Sequence, residues 1–211
     1  MEINKKEVLD FFKNHIIRYV VTDLEILNKI EADGEGVGGC TIPQASSTFS
    51  ALDLIGYLIH PQDVRAVGMS FIDILKNEKY FPALSHFDLI NDFFKSFKNN
   101  VRTILAHRYL MTKFDVAKID IDKLFIDDNG RTVLNIAFFT KISIKAINEI
   151  YSDIINDQFS INGYSNEKSI KMVKEKLDKL KSYDFEGKKN VELTGLTTIN
   201  IPFETTKSIS G

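Results

Sequence analysis

The sequence predicts a mainly α-helical protein, and three observations support this prediction. Apolar residues recur at three- and four-residue spacing over most of the chain. Candidate helix caps and turns that contain glycine or proline separate these periodic stretches. One alternating stretch with a central Asn-Gly indicates a single β-hairpin. The expected fold is a helical bundle with a small β-hairpin insertion and an extended C-terminal tail.

Composition narrows the class of protein. The chain has 211 residues, of which 44% are hydrophobic and 27% charged, as in an ordinary soluble domain. The single Cys40 excludes an internal disulfide and a cysteine-rich zinc site. The N-terminus is charged, and no apolar run approaches the ~18 residues of a membrane span. We therefore expect a cytoplasmic protein with no membrane partner, divided into a helical domain at 1–157 and a C-terminal segment at 158–211.

The first predicted helix covers residues 4–31, and its apolar spacing includes His15 and Tyr19. Four glycines follow between 34 and 39. The backbone N–H groups of such a loop can hold a phosphate, but no Gly-Lys-Ser/Thr motif and no preceding strand accompany these glycines. A connector between helices is favoured, and the phosphate site stays open as the alternative.

A second helix is predicted at 47–60, with Ser46 and Ser47 as candidate caps. Its centre is apolar nearly all round, so we expect it to be buried. Asp53 lies in this helix, and a buried carboxylate needs a partner. Either another structural group or Arg102 could provide that partner, and the structural pairing is favoured.

Two more helices are predicted before the middle of the chain. The first covers about 62–77, and a connector at 78–85 follows it. The second is capped by Ser85 and continues through Phe97. The asparagine pair at 99–100 then predicts a break or kink.

The β-hairpin is predicted at 123–139, where Asn129-Gly130 supplies the positive φ angles of a tight turn. Four acidic residues nearby could be ligands of a calcium ion. The EF-hand spacing fails, because Arg131 occupies a ligand position and no glutamate closes the loop. The acids are interpreted as turn and surface residues: Asp120, Asp122, Asp127 and Asp128.

A further helix is predicted at 140–157, with Thr140 or Ser143 as its cap. A polar connector leads to a helix at 166–182 with a thin apolar stripe among lysines. Opposite charges are interspersed there, which favours a solvated face over a partner-binding helix. The tail at 183–211 either adds an edge strand or remains mobile.

The most distinctive stretch extends from Lys95 to Lys113 and contains no acidic residue, in a chain whose net charge is −2. Within it, four mostly apolar residues separate Arg102 from His107. Residues five apart on one helix point about 140° away from each other. The two side chains therefore converge if Arg102 follows a break in the helix, or across a two-fold dimer. A basic patch beside a titratable histidine suits a phosphate-bearing partner.

An arginine, four residues and a histidine on a helix of a mainly helical chain resembles the HEPN family (higher eukaryotes and prokaryotes nucleotide-binding). Many members of that family are metal-independent endoribonucleases, often toxins or antiphage effectors, and others keep the fold without the activity. The resemblance implies a HEPN-like bundle over about 1–157, catalysis by Arg102 and His107, and a homodimer. This sequence has Thr103 where many active members have Asn, Asp or His after the arginine, and threonine cannot carry charge.

The resemblance also implies a mechanism. The RNA 2′-OH would attack the adjacent phosphorus, His107 would transfer a proton, and Arg102 would neutralise the phosphorane. Neither a metal nor a cofactor is expected. Basic or aromatic side chains expected to contact RNA are Lys98, Arg108, Tyr109 and Lys113, although Tyr109 could equally pack inside. Expected supporting residues are Asn100, Thr103 and Asp53.

Two other functions remain open. A non-catalytic HEPN-like module would bind RNA, a nucleotide or a protein partner such as an antitoxin or regulatory protein. Arg102 and His107 would then pair with acids and stabilise the bundle. A nucleotide-binding regulator that uses the glycine loop has no completed motif.

Overall fold

The structure is a computed structural model, and it describes most of the chain in six segments. The described residues are 2–32, 39–61, 74–75, 77–82, 115–128 and 131–187. They form a mainly helical fold, as the sequence predicted, with one small mixed sheet that contains the predicted hairpin. None of the helices within these segments is long and apolar enough to cross a membrane.

One continuous helical rod opens the chain, which confirms the first predicted helix. It consists of α1 (Glu2–Phe11), a π-helical segment (Phe12–Val21) and α2 (Thr22–Lys29). The π-helical segment was not predicted. Its buried residues are Phe12, Ile16 and Val21, so the second interval is five residues, and a wider helical turn keeps all three on the core side.

Helix α3 (Thr41–Ile59) begins six residues before the predicted start, so the predicted caps were wrong. Ser46 and Ser47 lie inside the helix. Pro43 occupies the first turn, where a missing N–H costs no hydrogen bond. The residue before the helix is Cys40, which has φ +58° and whose side chain makes no capping hydrogen bond.

A three-stranded sheet with the order β1-β3-β2 follows in the second half of the chain. β2 (Phe125–Asp128) and β3 (Arg131–Asn135) pair antiparallel, which confirms the predicted hairpin. β1 (Asp115–Ala117) pairs parallel with β3 and was not predicted. The hairpin is shorter than the predicted 123–139, because residues 136–139 are helical.

Helix α4 (Ile136–Ile155) begins at the end of β3 and not at residue 140. Asn135 caps it, since its Oδ1 accepts a hydrogen bond from the Phe138 backbone N–H at 3.5 Å. The predicted caps Thr140 and Ser143 were wrong, and both are buried within the helix. Asn135 also joins the helix to the loop after β1, because its Nδ2 donates to the Ile121 carbonyl at 2.9 Å.

A predicted connector at 158–165 leads to helix α5 (Asn166–Gly187), which extends five residues past the predicted end. The first residues of the predicted tail are therefore helical, and the tail from 188 onward lies outside the described residues. Helix α5 packs on α1 and α3. Its lysines are mostly exposed as predicted, but Lys176 is only 5% exposed.

One hydrophobic core joins these elements. Its members come from the first rod, α3, the sheet, α4 and α5. The largest fully buried side chains include Phe12, Leu52, Leu134 and Phe139. Burial of a side chain of this size contributes about 1.5–3 kcal/mol, so the core is the main source of stability.

Candidate functional site

The structure describes only one of the residues predicted for the site. Asp53 lies in α3 and is half-buried, and it has an interaction partner. The other predicted site residues, and the predicted helices at 62–77 and 85–97 except for residues 74, 75 and 77, lie outside the described segments. These site residues are Lys98, Asn100, Arg102, Thr103, His107, Arg108, Tyr109 and Lys113.

The described residues on both sides of the Arg102–His107 stretch are well anchored. On the C-terminal side, β1 begins two residues after Lys113 and pairs with β3. Helix α3, which carries Asp53, packs against β1. On the N-terminal side, Tyr80 and Phe81 are buried in the core. The described chain is therefore fixed at residues 80–81 and again at 115–117, and the candidate stretch lies between these two points in the sequence.

The buried carboxylate of Asp153 fixes the turn at 77–82, which precedes the candidate stretch. The Tyr80 hydroxyl donates to Asp153 Oδ2 at 2.8 Å, and Lys79 Nζ lies 2.5 Å from the same oxygen. Tyr80 and Asp153 are 4% and 8% exposed. Burial and the hydrogen bond to Asp153 raise the pKa of Tyr80 well above its usual value. This cluster ties the 77–82 turn to α4.

A second buried polar cluster joins α2, α3 and α4. Gln44 Nε2 donates to Asn28 Oδ1 at 2.7 Å and to Thr140 Oγ1 at 2.9 Å. The Thr48 hydroxyl donates to the Gln44 carbonyl, so Thr140 must donate to Thr48 Oγ1 across 2.9 Å. Gln44 Oε1 is buried and has no hydrogen-bond partner among the described residues. Because these hydrogen bonds join three helices, we assign the cluster a structural role.

Two lysines bind the carbonyl groups at helix C-termini. Lys118 Nζ donates to the Leu27 and Ile30 carbonyls at the end of α2. Lys176 Nζ donates to the Tyr57 and His60 carbonyls at the end of α3. A cation suits this end of the helix dipole. Burial lowers the pKa of Lys118, which is half-buried.

A cleft of about 290 Å³ lies at the end of α3. Its polar lining comes from His60, Asn77 and Asn162, and Ile59 and Ile74 supply apolar surface. The lining residues that the structure describes contain no nucleophile or acid–base pair that would define a reaction.

The first rod carries a surface that sequence reasoning missed. His15 and Tyr19, counted among the apolar positions of the first helix, are both exposed. Their rings continue a row that starts at Phe11, and Arg18 lies over the Tyr19 ring. The signal in the sequence is that no acid occurs between Asp10 and Asp23.

The structure contains no metal centre among its described residues, since no cluster of three potential ligands occurs there. Asp120 and Asp122 are exposed, which confirms their interpretation as surface residues. Asp122 pairs with Lys141 at 2.9 Å.

No family model matches this chain, and neither a curated protein nor a solved structure is similar to it. Function must therefore be argued from the residues of the chain itself.

Proposed function

We propose that this protein is a metal-independent endoribonuclease of the HEPN type. The observation that carries the proposal is the pair Arg102 and His107, four residues apart, within a stretch of 19 residues that has no acid. A permanent cation beside an imidazole is the minimum set for cleavage of a phosphodiester by its own 2′-OH.

In the proposed reaction, the 2′-OH loses a proton and the leaving 5′-oxygen gains one, and His107 either accepts the first proton or donates the second. The 2′-oxygen forms a bond to phosphorus as the bond to the 5′-oxygen breaks. The products are a 2′,3′-cyclic phosphate and a 5′-OH. Arg102 binds the phosphorane oxygens, because its planar fork can donate two hydrogen bonds to an anion.

The described structure supports this proposal at the level of architecture. The fold is mainly helical, and the candidate stretch leads into a strand that packs against α3. Asp53 is a half-buried acid on that helix. Its carboxylate is a candidate partner for Arg102, which would orient the guanidinium towards the phosphate.

The test is cleavage of a labelled single-stranded RNA by the purified protein in EDTA. Wild type should cut and leave 2′,3′-cyclic phosphate ends. Arg102→Ala and His107→Ala should each lower the rate at least about a hundredfold, as expected for a proton donor or a charge stabiliser. The matched controls Arg65→Ala and His86→Ala remove the same residue types outside the motif and should leave the rate unchanged. Equal cutting by all variants, or no cutting of several RNAs, would refute the proposal.

We also propose that the active site is shared between two chains of a homodimer, since C2 contacts are the commonest oligomers. Mixing Arg102→Ala with His107→Ala chains should then restore part of the activity in the heterodimers. A monomer in solution that still cuts RNA would contradict the shared site and leave the ribonuclease intact. Toxicity on expression, relieved by His107→Ala, would be consistent with a toxin or antiphage effector.

A further inference from the structure

The exposed rings on the first rod form an ordered row. The Phe11 ring is half-buried, contacts Phe12 edge-on and fixes the row to the core. The His15 ring lies 5.2 Å from Phe11 at an interplanar angle of 31°. The Tyr19 ring follows at 6.5 Å and 33°. Three rings at similar tilt, one helical turn apart, therefore lead from the core to the surface.

The last ring of the row is open to solvent. Tyr19 is 56% exposed, whereas rings such as those of Phe12 and Phe139 are fully buried. The π-helical segment supports this arrangement. Its wider turn brings residues four apart nearly into line, so the rings at 15 and 19 stay on one edge of the rod.

A cation lies against the row. Arg18 is exposed and pairs with no carboxylate within the described part of the chain. Arg18 Cζ lies 5.8 Å from the centre of the Tyr19 ring. By contrast, Lys5, Lys141 and Lys174 each pair with an acid.

We propose that this surface, made of His15, Arg18 and Tyr19, binds single-stranded RNA. One base stacks on the open Tyr19 ring, and the adjacent phosphate contacts Arg18. An exposed aromatic ring with a cation beside it suits a single strand, because every base has a face that can stack and every phosphodiester carries a negative charge. The inference deepens the proposed ribonuclease by adding a substrate-binding surface outside the Arg102–His107 stretch.

Charge decides between RNA and a second copy of this chain as the occupant. A symmetric contact through this surface would bring Arg18 of one chain towards Arg18 of the other, and like charges repel. An RNA strand removes that repulsion, since its phosphates neutralise this cation.

The test measures binding of a fluorescein-labelled single-stranded octaribonucleotide by anisotropy. All proteins carry His107→Ala, so that RNA is bound and not cut. Tyr19→Ala should weaken binding at least about fivefold, while Tyr19→Phe, which keeps the ring, should stay within about twofold. Arg18→Ala should reduce the slope of log affinity against log salt by about 0.7, the value for one phosphate contact on a single strand.

The chain offers a matched control at another surface. Tyr164 is 38% exposed, and Lys168 Nζ lies 3.5 Å from the centre of the Tyr164 ring. Tyr164 is therefore also an exposed tyrosine with a cation beside it. It lacks the row of rings. Tyr164→Ala and Lys168→Ala should leave RNA affinity unchanged.

The outcomes separate this inference from the proposed function. If wild type cuts RNA but Tyr19→Ala binds as tightly as its parent, the surface is not an RNA site and the ribonuclease stands. If Tyr19→Ala loses binding while no variant cuts, the RNA site stands and catalysis fails. Self-association that Tyr19→Ala abolishes, without an effect on RNA affinity, would overturn the inference in favour of a second copy.

Discussion

At the residue scale, the ionisation of Tyr80 is coupled to folding. Its hydroxyl is buried and donates to Asp153, so a tyrosinate there would be desolvated and would face a carboxylate. Both effects raise the pKa of Tyr80. The folded protein therefore holds this proton more tightly than the unfolded chain does.

We predict that alkaline pH destabilises the protein through Tyr80. The stabilisation is complete below the ordinary tyrosine pKa of about 10 and is lost as pH rises above it, because the unfolded chain then releases the proton first. Urea unfolding above pH 10 should show a slope of stability against pH that is steeper in wild type than in Tyr80→Phe. The difference should approach about one proton.

The comparison of Tyr80→Phe with wild type can also contradict this prediction. Tyr80→Phe also removes a hydrogen bond, so its stability should be lower at neutral pH. Only the change with pH tests the ionisation. Identical slopes for the two proteins would show that Tyr80 does not carry the effect.

At the element scale, the junction between α2 and α3 depends on Gly39. This residue has φ +50°, and a Cβ placed there would lie 2.4 Å from the Glu31 carbonyl oxygen. The two sides of the glycine-rich loop therefore approach more closely than any other residue allows. That is a structural reason for glycine at position 39, in line with the connector interpretation.

We predict that Gly39→Ala is more destabilising than Gly163→Ala. Gly163 has φ +78° but open space around it, so alanine there adds only the strain of a left-handed backbone, about 1–2 kcal/mol. At Gly39 the steric overlap adds to that strain, and we expect a total loss of roughly 2–4 kcal/mol. Chemical denaturation of both variants provides the measurement. An equal loss would mean that the loop shifts freely to accept the methyl group.

The elements were predicted well at their centres and poorly at their ends. The three- and four-residue spacing located the first rod, α4 and α5 because most of each helix packs on the core. The start of α4 was missed because Ile136–Phe139 continues the apolar run of β3, and periodicity cannot separate a buried strand from a buried helix turn. β1 was missed because it has three residues and its partner is distant in sequence.

The sequence predicted which two residues form the candidate motif, but it did not predict the long-range polar contacts of the fold. Two residues at a fixed spacing are visible in a sequence, so Arg102 and His107 could be named. The buried polar contacts could not be predicted, because the residues that form them are far apart in the sequence. Tyr80 and Asp153 are 73 residues apart, and Lys176 and Tyr57 are 119 residues apart. Lys176 was therefore grouped with the solvated lysines of its helix.

At the scale of the whole molecule, the described residues share one core. Helix α5 supplies Val173 and Leu177, which belong to the same cluster as Val8 of α1 and Leu58 of α3. Ion pairs accompany this packing, since Lys174 reaches Glu7 at 3.1 Å. We expect no separate unfolding of α5.

We predict that Leu177→Ala lowers the stability of the whole molecule. Leu177 is 2% exposed, and loss of such a side chain costs about 2–5 kcal/mol. Far-ultraviolet circular dichroism and tyrosine fluorescence should report the same lowered midpoint, as in two-state unfolding. The exposed neighbour Lys171→Ala should change stability by less than about 0.5 kcal/mol. Two separate transitions in Leu177→Ala would contradict a common core.

The packing of α1 has a consequence for synthesis on the ribosome. Among the described elements beyond the rod, its partners are α4 and α5, and both begin after residue 135. Translation at about 5–20 residues per second leaves the apolar side of Val8 and Phe12 without these partners for roughly ten to thirty seconds. A chaperone that recognises nascent apolar helices has that interval in which to bind. This helix is thus synthesised well before the elements that enclose it.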